Sequence, residues 1–126
     1  MSVIGIGTDI VDIRRLESMS DKVRDRLAQR VLTAIEYEYY QAITCSIAYL
    51  AKRWAAKEAA AKALGTGIAK GISFQHIQIE SLDSGQPILI FFDNAKQLAA
   101  DLGANSWHIS LSDEAHYAVA FVVMSA

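Results

Sequence analysis

Two short stretches of this 126-residue chain carry residues whose types and spacing suit phosphate chemistry. In Trp54-Ala-Ala-Lys57-Glu58-Ala-Ala-Ala-Lys62 the aromatic, the carboxylate and the amine recur every fourth position. On a helix each is turned about 40° from the last, so Trp54, Glu58 and Lys62 share one narrow stripe. In Gly5-Ile6-Gly7-Thr8-Asp9 a carboxylate sits among apolar, β-branched neighbours. Burying it there is costly unless it is paired or holds a cation. Asp9 and Glu58 together could offer hard oxygen ligands to Mg²⁺, which takes one or two carboxylates and fills its other sites with water and substrate phosphate. Lys62, one turn beyond Glu58, could then neutralise charge on a departing phosphate. The bland alternatives are a surface Glu–Lys pair and a turn-forming Asp at a strand end.

The rest of the sequence offers little competing chemistry. Cys45 has no base beside it in sequence, and Ser110 and Ser112 lack a nucleophile-elbow motif. His76, His108 and His116 share no ligand spacing, and a lone cysteine forms neither an internal disulfide nor a structural zinc site. His108 and Ser110 lie on the polar side of an expected strand, where they could touch a ligand.

The elements that must position these groups follow from periodicity and punctuation. Val3 to Ile13 reads as a strand whose glycines permit close backbone approach. Arg14 to Arg30 reads as a basic helix. Thr33 and Glu36 have capping-box spacing ahead of a second helix, whose tyrosines read as packing residues. Ser46 is positioned to cap a long helix running to Leu64, rich in alanine and stopped by Gly65. A glycine-rich loop precedes a short strand with Ile77 and Ile79 on one face, a turn at Asp83 to Pro87, and an apolar strand. Asp93 reads as the cap of a helix that ends at Gly103. Trp107, Ile109 and Leu111 then alternate with polar residues, and the run from His116 to Met124 is apolar on both faces, as in a central strand or one buried at a subunit contact. The expected fold class is α+β: a small, mainly antiparallel sheet with a long central helix, in one domain spanning residues 1–126.

Composition bounds the partners. Hydrophobic residues make up 52% and the net charge is −2, which argues against disorder. The basic residues are segregated: Arg14 to Arg30 holds six against three acidic residues, and Lys52 to Lys70 holds five against Glu58 alone. Two basic patches on an otherwise acidic chain suit a phosphate-bearing ligand or an acidic protein surface better than nucleic acid, although solvated helix faces look the same. No secretory leader or membrane-spanning stretch is apparent, and a cytoplasmic protein is expected.

Taken together, the Gly5-to-Asp9 stretch and the Trp54-to-Lys62 stretch followed by Gly65-Thr66-Gly67-Ile68 resemble the phosphopantetheinyl transferases. Asp9 and Trp54 stand 45 positions apart, matching the gap of that family's two motifs. The short chain and the closing stretch from His108 to Ala118 point to the bacterial holo-acyl-carrier-protein synthase branch. The resemblance implies transfer of 4′-phosphopantetheine from coenzyme A to a serine of apo acyl carrier protein. It implies Asp9 and Glu58 as Mg²⁺ ligands, with Glu58 also helping to deprotonate the serine and Lys62 serving the leaving phosphate. It implies Arg53, Gly65 and Pro87 at coenzyme A, Arg14 at the carrier, and a homotrimer with sites at subunit interfaces. The pattern departs at Asp113, where many relatives have His, and at Gln86, where many have Lys. A non-catalytic phosphate-binding or scaffold module is the alternative, and it would not need Asp9, Glu58 and Lys62 together.

Overall fold

The computed structural model describes residues 2–126. β1 (Val3–Asp12) leads into α1 (Ile13–Glu17), α2 (Asp21–Val31), α3 (Ala34–Ala42) and the long α4 (Ser46–Ala63). A 3₁₀ turn at Phe74–His76 precedes β2 (Ile77–Ser81), β3 (Pro87–Phe91), α5 (Asp93–Asp101), β4 (Ser106–Asp113) and β5 (Tyr117–Ser125). The strands form two antiparallel sheets, ordered β1-β5-β4 and β2-β3. They are joined where the Trp107 indole N–H donates to the Leu89 carbonyl and its ring packs on Phe91. The expected α+β class with a central helix is the observed one, with the strands divided between two sheets.

α4 lies against the inner face of β1-β5-β4, and glycine and alanine make that contact possible. A Cβ added to Gly7 would stand 1.9 Å from the Ala59 carbonyl oxygen, and one on Gly5 would stand 2.1 Å from that of Ala63. The two backbones therefore touch directly, with Ala118, Ala120, Val122 and Met124 of β5 completing the buried floor. Gly65, at φ +85°, ends α4 in the left-handed conformation, and the amides of Thr66 and Gly67 close on the Ala61 carbonyl.

Three local expectations differ. The basic stretch after β1 is two helices: Ser18 to Ser20 interrupt it, the Ser20 hydroxyl caps α2, and the Arg24 guanidinium donates to the Leu16 and Met19 carbonyls across the break. A serine that can accept from the Val23 amide starts a new helix more readily than it continues an old one. Ser46 is the first residue of α4, and Cys45 occupies the cap position without a side-chain bond. Asp93 likewise opens α5 at φ +50° with no capping bond, behind Phe92. The Thr33–Glu36 capping box forms as its spacing predicts.

β5 is the central strand of its sheet, and only one of its faces is covered. Val119 and Phe121 remain exposed beside Ile6 and Ile10 of β1, forming an apolar strip on the outer face, while His108, Ser110 and Ser112 line the β4 side. Among the described residues, no helix is long and apolar enough to cross a membrane.

Candidate active site

Asp9 projects from β1 toward α4, where the Lys62 ammonium donates to its carboxylate at 3.0 Å and to the Thr8 carbonyl at 2.9 Å. β1 therefore presents a carboxylate and a backbone oxygen to one cation. Glu58, one turn back along α4, is half-buried. Its carboxyl is held above the usual range, first by desolvation and then by the like charge of Asp9, against the pull of Lys62. Two carboxylates close enough to repel, beside an ammonium and open to solvent, could receive positive charge on one side and phosphate on the other. That donor set fits Mg²⁺, which needs one or two carboxylates and leaves room for substrate oxygens. Among the described residues no group of three or more His, Cys, Asp or Glu side chains gathers, so a cage of purely protein ligands is not on offer.

Trp54 continues the stripe toward α1, half-buried beneath the Arg15 guanidinium, which lies 5.3 Å from its ring centroid. Arg14 beside it is held by a bidentate pair to Asp12, each bond 2.9 Å, and donates to the Tyr117 hydroxyl at 3.2 Å. Both arginines thus stand just past the end of the strand that carries Asp9. The basic patches are smaller than the sequence suggests, because Arg24, Arg53 and Lys57 turn inward.

The remaining candidates gather elsewhere. Arg53 lies more than 90° around α4 from Glu58, stacked 4.5 Å over Tyr49 and donating to Ser81 Oγ at 3.4 Å. It lines a cleft of about 630 Å³ with Tyr39, Lys52, Gln78 and Glu80, and its Nε is buried without a partner among the described residues. Pro87 pairs with Ser81 across β2-β3 and borders a smaller hollow with Gln86, Trp107 and His108. Asp113, at the end of β4, faces Lys52 at 3.6 Å. Within one chain, then, Asp9, Glu58 and Lys62 converge, Gly65 lies just past the end of their helix, and Arg53 and Pro87 occupy the flank formed by β2-β3. Sequence reasoning assigned no role to Lys57 and none beyond capping to Glu36, although both are buried. A lysine among alanines carries no mark that tells a buried position from an exposed one.

The profile of the 4′-phosphopantetheinyl transferase superfamily matches residues 5–122, spanning both motifs and most of the closing hairpin. The chain belongs to this family. Among transferase relatives, a holo-[acyl-carrier-protein] synthase of Shewanella denitrificans is 53% identical over all 126 residues and covers 100% of both chains. One of Cronobacter sakazakii is 47% identical with the same coverage. The crystal structure of the Neisseria meningitidis synthase superposes with a TM-score of 0.89 at 38% identity, covering 99% of this chain and 100% of that one. The Helicobacter pylori synthase in complex with coenzyme A superposes at 0.80 with 31% identity, covering 95% and 99%.

The raised Glu58 carboxyl has a consequence for stability. A carboxyl whose folded value exceeds its unfolded one makes the native state bind more protons in the intervening window, so stability falls as pH rises through it. Metal-free Glu58→Gln should melt above the wild type at pH 7, with the gap closing below pH 4. Thermal melts in chelator across that range check this, and a lower midpoint at pH 7 would contradict the reading.

Proposed function

We propose that this chain is a holo-acyl-carrier-protein synthase. It transfers the 4′-phosphopantetheine arm of coenzyme A to a serine of apo acyl carrier protein and releases adenosine 3′,5′-bisphosphate, serving fatty acid biosynthesis. The observation that carries the reading is the convergence of Asp9, Glu58 and Lys62 where β1 meets α4, in a chain similar to such synthases along its whole length. A phosphate-binding scaffold has no need of that convergence.

The serine oxygen forms a bond to the phosphorus that bears pantetheine, and the bond from that phosphorus to the adenosine bisphosphate oxygen breaks. The serine proton passes to Glu58, directly or through water. Lys62 stabilises charge on the departing phosphate. Asp9 and Glu58 would hold Mg²⁺, which when bound neutralises pyrophosphate charge. Arg53, Gly65 and Pro87 would hold coenzyme A. As the family resemblance implies, we read the working unit as a homotrimer with sites at subunit interfaces, and the place of Arg53 and Pro87 on the other flank of α4 suits one copy supplying them while its neighbour supplies Asp9, Glu58 and Lys62. The exposed Ile6, Ile10, Val119 and Phe121 strip supports such an assembly. We read residues 1–126 as one transferase domain working in the cytoplasm.

Incubating the protein with apo acyl carrier protein, coenzyme A and Mg²⁺ tests the function directly. The carrier should gain the mass of phosphopantetheine, and an unchanged carrier would overturn the proposal.

Arg14 is assigned to the carrier. Its guanidinium is half-exposed and oriented by Asp12, as a docking residue for an acidic helix should be. Arg14→Glu should raise the carrier KM about tenfold while leaving that for coenzyme A within about twofold, and the wild-type carrier KM should climb with salt as exposed charges are screened over about 10 Å at 0.1 M. Equal effects on both substrates, or a salt-independent KM, would remove Arg14 from this role.

A further inference from the structure

Between Leu50 and Leu64 every fully buried apolar residue of α4 is alanine. Such a face packs close, but it has no large side chains to interlock with the sheet, so it does little to stop the helix turning about its axis. The angle at which Glu58 and Lys62 meet Asp9 must be fixed by something else. On the opposite side of α4, Lys57 is fully buried and Glu36 is 2% exposed. The Lys57 ammonium donates to Glu36 Oε1 at 2.5 Å, to the Val31 carbonyl at 2.7 Å and to the Phe74 carbonyl at 3.3 Å. Glu36 in turn accepts from the Thr33 amide and, through Oε2, from the Ile79 amide, both at 2.9 Å. One ion pair thereby ties α4 to the end of α2, the cap of α3, the 3₁₀ turn and β2, and every ammonium proton has a partner.

We infer that Lys57 and Glu36 are positioning residues for the transfer reaction, setting the rotation of α4 that aims Glu58 and Lys62 at Asp9. Lys57 adjoins Glu58 and points about 100° away from it, so a turn of the helix that slackens the Lys57 bonds displaces the Glu58 carboxylate as well. A misplacement of about 1 Å at a reacting group costs on the order of 10²-fold in rate. The pair itself touches neither Asp9 nor Lys62. This inference rests on the assignment of Glu58 as a reacting group.

The test separates holding the fold from aiming the helix. Lys57→Met alone strands a buried carboxylate and should melt far below the wild type. Glu36→Gln with Lys57→Met removes both charges and should recover most of that loss. At a temperature well below its midpoint, the double variant should turn over at least tenfold more slowly, with the KM for coenzyme A within about threefold of wild type. A role confined to stability predicts wild-type kcat in the folded double variant, and that result would overturn the inference. If the double variant does not fold, Glu36→Asp decides by the same criterion, because it keeps both charges but is too short to hold Lys57 and the Ile79 amide together. Glu58→Gln runs alongside: full turnover there would remove the underlying site assignment, whereas loss there with a fully active double variant would remove the positioning role alone.

Discussion

Asp9→Ala and Glu58→Ala should each lower kcat about 10³-fold at saturating Mg²⁺ while leaving the protein folded. The size follows from what each carboxylate is asked to do. Holding a cation on the pyrophosphate is worth several kcal/mol of transition-state charge stabilisation, and about 4 kcal/mol corresponds to 10³ in rate. In the proposed reaction Glu58 takes the serine proton as well, so its loss should be at least as severe. For Glu58 stability points the other way, because its deletion removes a carboxylate held above its usual range first by desolvation and then by the like charge of Asp9. Since the two act as a unit, the double variant should be scarcely slower than the worse single one. Exposed Glu38→Ala supplies the control and should change nothing. The readouts are steady-state transfer to the carrier and a thermal melt of each variant. Retention of a tenth or more of the rate by either single variant would mean that the cation and the proton are handled elsewhere.

Gly7→Ala should have the largest effect on the fold itself. The added methyl would meet the Ala59 carbonyl oxygen at 1.9 Å and the Ala63 amide nitrogen at 2.8 Å. Both are backbone atoms of α4, so no rotamer change can make room. Overpacking of ordinary side chains costs about 1–3 kcal/mol, and a clash confined to two backbones belongs at or beyond the upper end. Against a total stability of about 5–15 kcal/mol for a domain of this size, the midpoint should fall by about 10 °C or more. Any folded fraction should be nearly inactive, because α4 can yield only by carrying Glu58 and Lys62 away from Asp9. Gly65→Ala is the contrast: its position meets nothing within 4 Å and pays only for the left-handed backbone, about 1 kcal/mol. A Gly7→Ala protein melting within 2 °C of wild type would show that β1 and α4 are not in hard contact.

What could be read from the sequence was whatever has a local signature. The Thr33–Glu36 box, the Gly65 stop and the stripe of Trp54, Glu58 and Lys62 each declare themselves within a few residues, and each is present in the fold. The glycines at 5 and 7 announced a close approach but not its partner, since nothing local specifies that Ala59 and Ala63 will lie opposite. Lys57 and Glu36 show the limit most clearly. Their bond spans 21 positions, and before the chain is folded Lys57 looks like one more charge on a basic helix. Arg24 was hidden in the same way, because a guanidinium that satisfies backbone carbonyls of its own chain has the same letter as one that binds a partner.

The pairing of β1 with β5 also dictates when this protein can become an enzyme. Asp9 faces Ala120 across that ladder, and among the described residues β1 has no other strand partner. During synthesis the strand bearing the first carboxylate emerges early and then waits, unpaired, for a partner more than a hundred residues behind it. α4 can coil on its own meanwhile, but the floor it docks on is incomplete until β5 has left the ribosome. Contacts so distant along the chain make folding slow. Catalytic competence therefore arrives only with the last strand, and a nascent or prematurely terminated chain lacking β5 exposes an apolar strand with no one to pair it.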